Sequence, residues 1–183
     1  MEFIRHPIDG VIELRPKYFG DARGYFAETY RKSAWEQAGV FLEFVQENKS
    51  LSRAVGTIRG LHFQLPPFAQ DKLVSCVRGA IYDVAVDIRR ASRTFGQHVG
   101  VTLTAERGEQ LLVPAGFAHG FCTIEPDTEV AYKVSSYYSA ECDRGVLWSD
   151  PAIGIAWPVE PDAAQLSDKD RRAPLLADAP DLF

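Results

Sequence analysis

The chain has 183 residues, of which 46% are hydrophobic, with a net charge of −5 and an isoelectric point near 5.4. Such a length and apolar content suit one packed domain and exclude wholesale disorder. The acidic balance excludes nucleic acid as the main partner, because a phosphate backbone demands a dense basic surface, while an anionic small ligand stays compatible wherever a few arginines converge.

Met1 to His6 lack the apolar run and small-residue site of a secretory signal, and no stretch approaches about eighteen apolar residues, so neither signal peptide nor membrane span is expected and the cytoplasm is the expected compartment. Val11 to Pro16 reads as an edge strand ended by proline. From Tyr18 to Tyr30 a turn signal around Gly20-Asp21 and Arg23-Gly24 leads into a short aromatic strand, with Arg23 at an exposed tip where a solvated surface role is the simpler reading. Ser33 to Gly39 carries a serine, a glutamate three residues on and a closing glycine, which predicts a short helix with a capping box. Phe44 to Ser52 alternates, with the uncharged polar residues Gln46, Asn48, Ser50 and Ser52 on one face, as suits either a wet cavity or a solvent-facing strand.

Gly56 to Gln64 puts Arg59 and His62 three residues apart, and strand alternation sets Leu61 and Phe63 on one face against Gly60, His62 and Gln64 on the other. Lys72 to Val77 and the strongly apolar Ala80 to Ile88 read as strands joined by a tight hairpin at Arg78-Gly79. Thr94 to Leu103, Gln110 to Pro114, Gly120 to Ile124 and Glu129 to Val134 continue the series, so the chain predicts a β-sandwich or barrel. Residues 1–50 supply its N-terminal strands, 51–147 the barrel, and 148–183 an irregular tail packed on it, with one helical turn after Ser167. Cys76, Cys122 and Cys142 are widely spaced, form no Cys-x-x-Cys pair and read as buried free thiols.

Gly108, then Pro114-x-Gly116-x-x-His119, resembles the second signature of the cupin superfamily, and the first can be laid over Gly56 to Gly79. Metal-binding cupins carry two histidines and a glutamate in that first signature; here the second histidine position holds Gln64 and the glutamate position holds Lys72. A cation cannot ligate a cation, so no bound metal is expected.

Several further blocks, among them Arg59-Gly60-Leu61-His62-Phe63-Gln64, Pro114-x-Gly116-Phe117-Ala118-His119-Gly120-Phe121, Tyr132-Lys133, Asp150-Pro151-x-Ile153-Gly154-Ile155-x-Trp157-Pro158 and Leu166-Ser167-x-Lys169-Asp170, resemble the dTDP-4-dehydrorhamnose 3,5-epimerase family in order and over nearly the whole chain. The resemblance implies a mainly β double-stranded β-helix, or jelly roll, with short peripheral helices. It implies a cofactor-free homodimeric isomerase that inverts carbons 3 and 5 of a dTDP-4-keto-6-deoxyhexose on the way to dTDP-L-rhamnose and cell-wall polysaccharide. Within it His62 is the base, Asp170 its partner, Lys72 the cation beside the enolate oxygen and Tyr132 the opposing acid. Arg23 and Arg59 would meet the diphosphate, Lys169 the sugar or phosphates, Phe19 or Tyr138 and the Gln46 amide the thymine, and Asn48 and Glu28 further parts of the substrate, with Glu28 and Arg23 reaching in from the partner chain.

His119 is read either as a ligand contact or as part of the cavity wall. Tyr137-Tyr138-Ser139-Ala140-Glu141-Cys142-Asp143 departs from the family's Tyr-Tyr-Asn-Pro-Glu-x-Glu, so Asp143 offers a shorter carboxylate than usual. The rival readings are an epimerase that inverts carbon 3 alone, serving an antibiotic or other deoxysugar pathway, and a cupin that binds a nucleotide sugar without turning it over. A metal-dependent dioxygenase is disfavoured by Gln64 and Lys72.

Overall fold

Two antiparallel sheets face each other across one apolar interior in the computed structural model, which describes residues 1–183. One sheet has six strands: β1 (Glu2–Arg5), β2 (Ile12–Arg15), β5 (Gln46–Ser52), β7 (Lys72–Arg78), β10 (Gln110–Val113) and β12 (Thr128–Val134), ordered β1-β2-β10-β7-β12-β5. The other has five: β6 (Ile58–Gln64), β8 (Ala80–Asp87), β9 (His98–Thr104), β11 (Phe117–Thr123) and β13 (Asp143–Gly145), ordered β13-β6-β11-β8-β9. From β6 on, every connection but β8 to β9 crosses between sheets, which winds the chain into a double-stranded β-helix. β3 (Tyr18–Asp21) and β4 (Gly24–Ala27) form a separate two-stranded arm. No helix is long and apolar enough to cross a membrane.

The period of two assigns each strand's residues to a layer. Val74 and Cys76 of β7, Leu111 and Val113 of β10, Ile81 and Ala85 of β8 and Phe117 and Phe121 of β11 fill the space between the sheets. Their neighbours in sequence face outward and need cover. Leu61, Phe63, Val84 and Val86 are covered by the tail through Ile153, Leu176 and Ala179. Ile12, Leu14, Leu73 and Leu112 are covered by Trp35 of the short helix α1 (Lys32–Gln37).

Local chemistry departs from the sequence expectation in several places. Arg78-Gly79 is not a hairpin: β7 pairs with β10 and β12 while β8 pairs with β9 and β11, so Gly79 (φ +77°) turns a corner between sheets. Ile12–Arg15 is not an edge, because Glu2–Arg5 pairs outside it. The capping box at Ser33 is not made either; Ser33 lies inside α1, whose N-cap Arg31 offers no side-chain bond. α1 is fixed at its other end, where Gly39 (φ +83°) lets its own N–H reach Glu36 O at 3.0 Å and the Val40 N–H reach Trp35 O at 2.9 Å, a Schellman closure. Buried Trp35, edge-on to Phe3 at 4.8 Å, anchors that turn.

β6 and β11 carry the feature that prepares the site. His119 pairs with His62 but Phe121 pairs with Arg59, so two steps on β11 oppose three on β6. This β-bulge brings Arg59 and His62, which strict alternation would separate, to the same cleft. Gly60 sits in the bulge at φ +130°, where a Cβ would stand 2.5 Å from Gly120 Cα and 2.7 Å from His119 O. Gly24 in the β3–β4 turn has a similar φ of +133° but nothing within 4 Å of such a Cβ. In urea unfolding, Gly24→Ala is expected to cost only the conformational strain, about 1 kcal/mol, and Gly60→Ala about 3 kcal/mol or more, since backbone rather than a flexible side chain must yield.

Candidate active site

A cleft of about 520 Å³ opens between the sheets at the end where β6, β7, β11 and β12 meet the tail, and an adjoining space of about 420 Å³ shares His62, Lys72, Tyr132 and Lys169 with it. His62 and His119 stand on the five-stranded sheet, Lys72 and Tyr132 on the six-stranded sheet opposite. The tail closes the side through α2 (Asp168–Arg171).

His62 Nε2 lies 2.6 Å from Asp170 Oδ1, which leaves Nδ1 for the cleft. Asp170 is buried and held in place from its own chain: Ser167 caps α2 by accepting the Asp170 N–H at 3.1 Å, and the Gly60 N–H points at Asp170 Oδ2 from 3.5 Å. Burial alone would raise this carboxyl, but the bond to His62, the imidazole charge and the Ser167 and Gly60 contacts outweigh it and hold it below the usual carboxylate range.

Lys72 is 8% exposed, and its ammonium makes one hydrogen bond, to His62 O at 3.3 Å. Burial pulls it from 10.5 down to about 8, against the attraction of Asp143 and Asp83 and with the repulsion of Lys169. Burial pushes the Tyr132 phenol up, opposed by the Arg59 charge and by Asn48, its cross-strand neighbour. Arg59 spans from the cleft to β5, donating from Nε to Ser52 Oγ and from Nη2 to Leu51 O, both at 3.1 Å.

The adjoining space gathers Gln46, Asn48, Tyr138 and Asp143. Gln46 Nε2 donates to Asn48 Oδ1 at 2.8 Å, and Gln46 Oε1 accepts the Tyr138 N–H at 3.2 Å. The Tyr138 hydroxyl donates to Asp143 Oδ2 at 3.3 Å, and Lys169 pairs with that same oxygen, so Asp143 ties the loop to α2. Phe19, Arg23 and Glu28 stand outside this chain's cleft. They belong to the β3–β4 arm and its exit, where Arg23 is engaged by Asp21 and Glu28 by Arg31. Cys76 and Cys122 are buried free thiols, each pushed up to about 11 by burial, whereas Cys142 is only half-buried.

Sequence reasoning missed two contributors. Ser167 marks a helix start and one family block in the sequence, but neither reveals that its cap orients Asp170. Asp83 lies beside His119, Nε2 to Oδ1 at 2.8 Å, and a charged residue inside the otherwise apolar run of Ala80 to Val86 was the signal for it.

The two positions that would hold ligands in a metal-binding cupin are otherwise engaged. Lys72 brings a cation, and Gln64 spends its whole amide on the following loops: Nε2 donates to Phe68 O at 2.7 Å and Tyr137 O at 3.1 Å, and Oε1 accepts the Ser139 N–H at 2.7 Å. A jelly roll with a lysine and a fully bonded glutamine at two metal-ligand positions, and an imidazole–carboxylate pair facing a phenol across the cleft, fits the cupin-type isomerases. The comparisons narrow the class. A profile described as dTDP-4-dehydrorhamnose 3,5-epimerase matches residues 5–178. A Sinorhizobium fredii protein of that name is 54% identical over 170 residues, covering 93% of this chain and 87% of its own length. Two crystal structures superpose closely. The dTDP-4-dehydrorhamnose 3,5-epimerase of Bacillus anthracis, solved with TDP and PPi bound, has a TM-score of 0.92 at 53% identity and covers 95% of this chain and 98% of its own. The Legionella pneumophila dTDP-6-deoxy-D-glucose-3,5-epimerase, solved with dTDP-4-keto-L-rhamnose, has a TM-score of 0.91 at 42% identity and covers 96% and 93%. This chain belongs to the dTDP-4-dehydrorhamnose 3,5-epimerase family.

The displacement of Lys72 from 10.5 to about 8 corresponds to a penalty of about 3 kcal/mol on its buried charge. The penalty is fully present below pH 8 and is relieved as pH rises from about 8 to 10.5, where the unfolded chain still holds the proton. Lys72→Met is therefore expected to raise thermal stability at pH 7, by up to about 3 kcal/mol, with the gain over the unmodified protein shrinking across that alkaline window.

Proposed function

We propose that this isomerase inverts carbons 3 and 5 of dTDP-4-keto-6-deoxy-D-glucose, giving dTDP-4-keto-L-rhamnose, with His62 as base and Tyr132 as acid. The observation that carries the reading is their placement on opposite sheets of one cleft, because inversion needs a proton removed from one face of the sugar and another delivered to the opposite face. A proton beside a ketone becomes removable when the charge left on the oxygen is stabilised. Lys72, buried and hydrogen-bonded only once, has donors free for that oxygen.

In this scheme His62 takes the proton at Nδ1 while Asp170, bonded to Nε2, stabilises the imidazolium. The electron pair of the C–H bond moves into the enolate, whose oxygen faces Lys72. Tyr132 then gives its hydroxyl proton to the same carbon from the other side, and solvent restores both residues before the second centre reacts. Arg59 and Lys169 meet the diphosphate, while Tyr138, Gln46, Asn48 and Asp143 line the adjoining space that the nucleotide enters. His119 lines the same cleft.

The arm supplies the rest. Phe19, Tyr25 and Phe26 are 54%, 67% and 70% exposed, an apolar load that a lone hairpin does not carry into water without a partner. A second copy of the chain is the partner we propose, with Phe19, Arg23 and Glu28 completing the neighbour's cleft and the dimer working in the cytoplasm. The alkaline limb of kcat then follows Lys72, falling as pH rises through about 8.

Proton NMR of the substrate in deuterated water, without added metal, tests the assignment. Loss of both the C3 and C5 proton signals is expected, slowed about 10³-fold or more in His62→Ala and uncoupled from net inversion in Tyr132→Phe. Exchange at C3 alone would replace the reading by a 3-epimerase, and binding without exchange by a non-catalytic module. Sedimentation should find a dimer, and Arg23→Ala should raise KM about tenfold or more with little change in kcat; a monomer with full activity would sink the arm's role.

A further inference from the structure

Asp83 has no exposed surface, yet its carboxylate is only half used: Oδ1 meets His119 Nε2 at 2.8 Å and Oδ2 is buried with no partner. Its inward neighbours on β8, Ile81 and Ala85, belong to the apolar interior, where an apolar side chain would fill the same place at less cost. A buried acceptor left open in this way calls for a function.

The groups around Lys72 supply one. Sharing its cleft are Arg59 and His62 from β6, His119 from β11, Tyr132 from β12 and Lys169 and Asp170 from α2, with Asp143 from β13 in the adjoining space and Asp83 from β8 behind His119. Of the carboxylates nearby, Asp170 is bound to His62, and Asp143, which with Asp83 favours the ammonium, is already bound by Lys169 and Tyr138. Asp83 is thus the carboxylate left for Lys72. It also fixes His119: with Asp83 as the acceptor, Nε2 carries the proton and Nδ1 is left out of that bond, the arrangement Asp170 gives His62, its partner across the ladder.

We infer that Asp83 is a positioning residue of the reaction, holding the His119 ring by Nε2 and supplying the counter-charge that keeps Lys72 an ammonium at the substrate carbonyl. The inference rests on the epimerase reading of the cleft. Long-range proton–nitrogen NMR of the unmodified, ¹⁵N-histidine-labelled protein should find His119 Nε2 protonated, whether or not Nδ1 also holds a proton; an unprotonated Nε2 overturns the inference. Asp83→Asn, assayed with dTDP-4-keto-6-deoxyglucose, should lower kcat about 10- to 100-fold with KM within about threefold, and move the alkaline limb of kcat down by about one pH unit. A wild-type kcat with an unmoved limb would make Asp83 a structural residue only. If Asp83→Asn does not fold, the tautomer measurement still decides. Absence of C3 and C5 exchange in the unmodified enzyme would sink the epimerase reading, not the tautomer result.

Discussion

The hydrogen bond between His62 and Asp170 joins residues 108 positions apart, and much of the architecture serves to make it. Asp170 reaches the cleft only if the tail crosses the outer face of the five-stranded sheet, and it does so because Leu61, Phe63, Val84 and Val86 present an apolar surface there. Backbone bonds then set the register: the Gln165 N–H reaches Gly56 O and the Ile58 N–H reaches Gln165 O, both at 2.9 Å. A hydrophobic layer brings the segment near, a ladder fragment aligns it, and the Ser167 cap aims one carboxylate. Each step narrows the freedom that the next must remove.

The same cleft works against the sandwich that holds it. Between the sheets, Val74, Leu111 and Phe117 pack as a sandwich core should, whereas one end is given to Lys72, Asp83, His119 and Tyr132. Buried charge is tolerated there because opposite signs sit close and the apolar layers elsewhere are continuous. Residues chosen for stability alone would have closed the cleft, so the polar end reports selection for chemistry rather than for the fold.

Much of this was legible in the sequence, for reasons that can be named. Leu61 and Phe63 facing away from His62, and Gln46, Asn48 and Ser50 lining the cavities from one face of β5, follow from the period of two, which sterics enforce along any strand. The resemblance supplied Asp170, since nothing local in Ser167 to Asp170 reveals a partner more than a hundred residues away. What stayed hidden was set by pairing. Arg78-Gly79 has the composition of a hairpin, but only the identity of each strand's neighbours tells a hairpin from a corner. Arg59 shares the cleft through a bulge, which breaks the alternation used to read faces. The Ser33 box lost to Trp35, whose burial and Schellman closure decided the helix from its C-terminal end.

The sequence separation within the His62–Asp170 pair also orders events during synthesis. A ribosome adding roughly 5–20 residues per second releases β6 about 5–20 s before α2. Once β11 emerges, about halfway through that interval, the nascent chain can pair β6 with β11 and begin to fold the interior, while His62 stands without Asp170 and Leu61 and Phe63 stand without their cover. The half-made protein is thus exposed on the very face that the tail will hide, so the tail's arrival both completes the His62–Asp170 pair and ends that exposure.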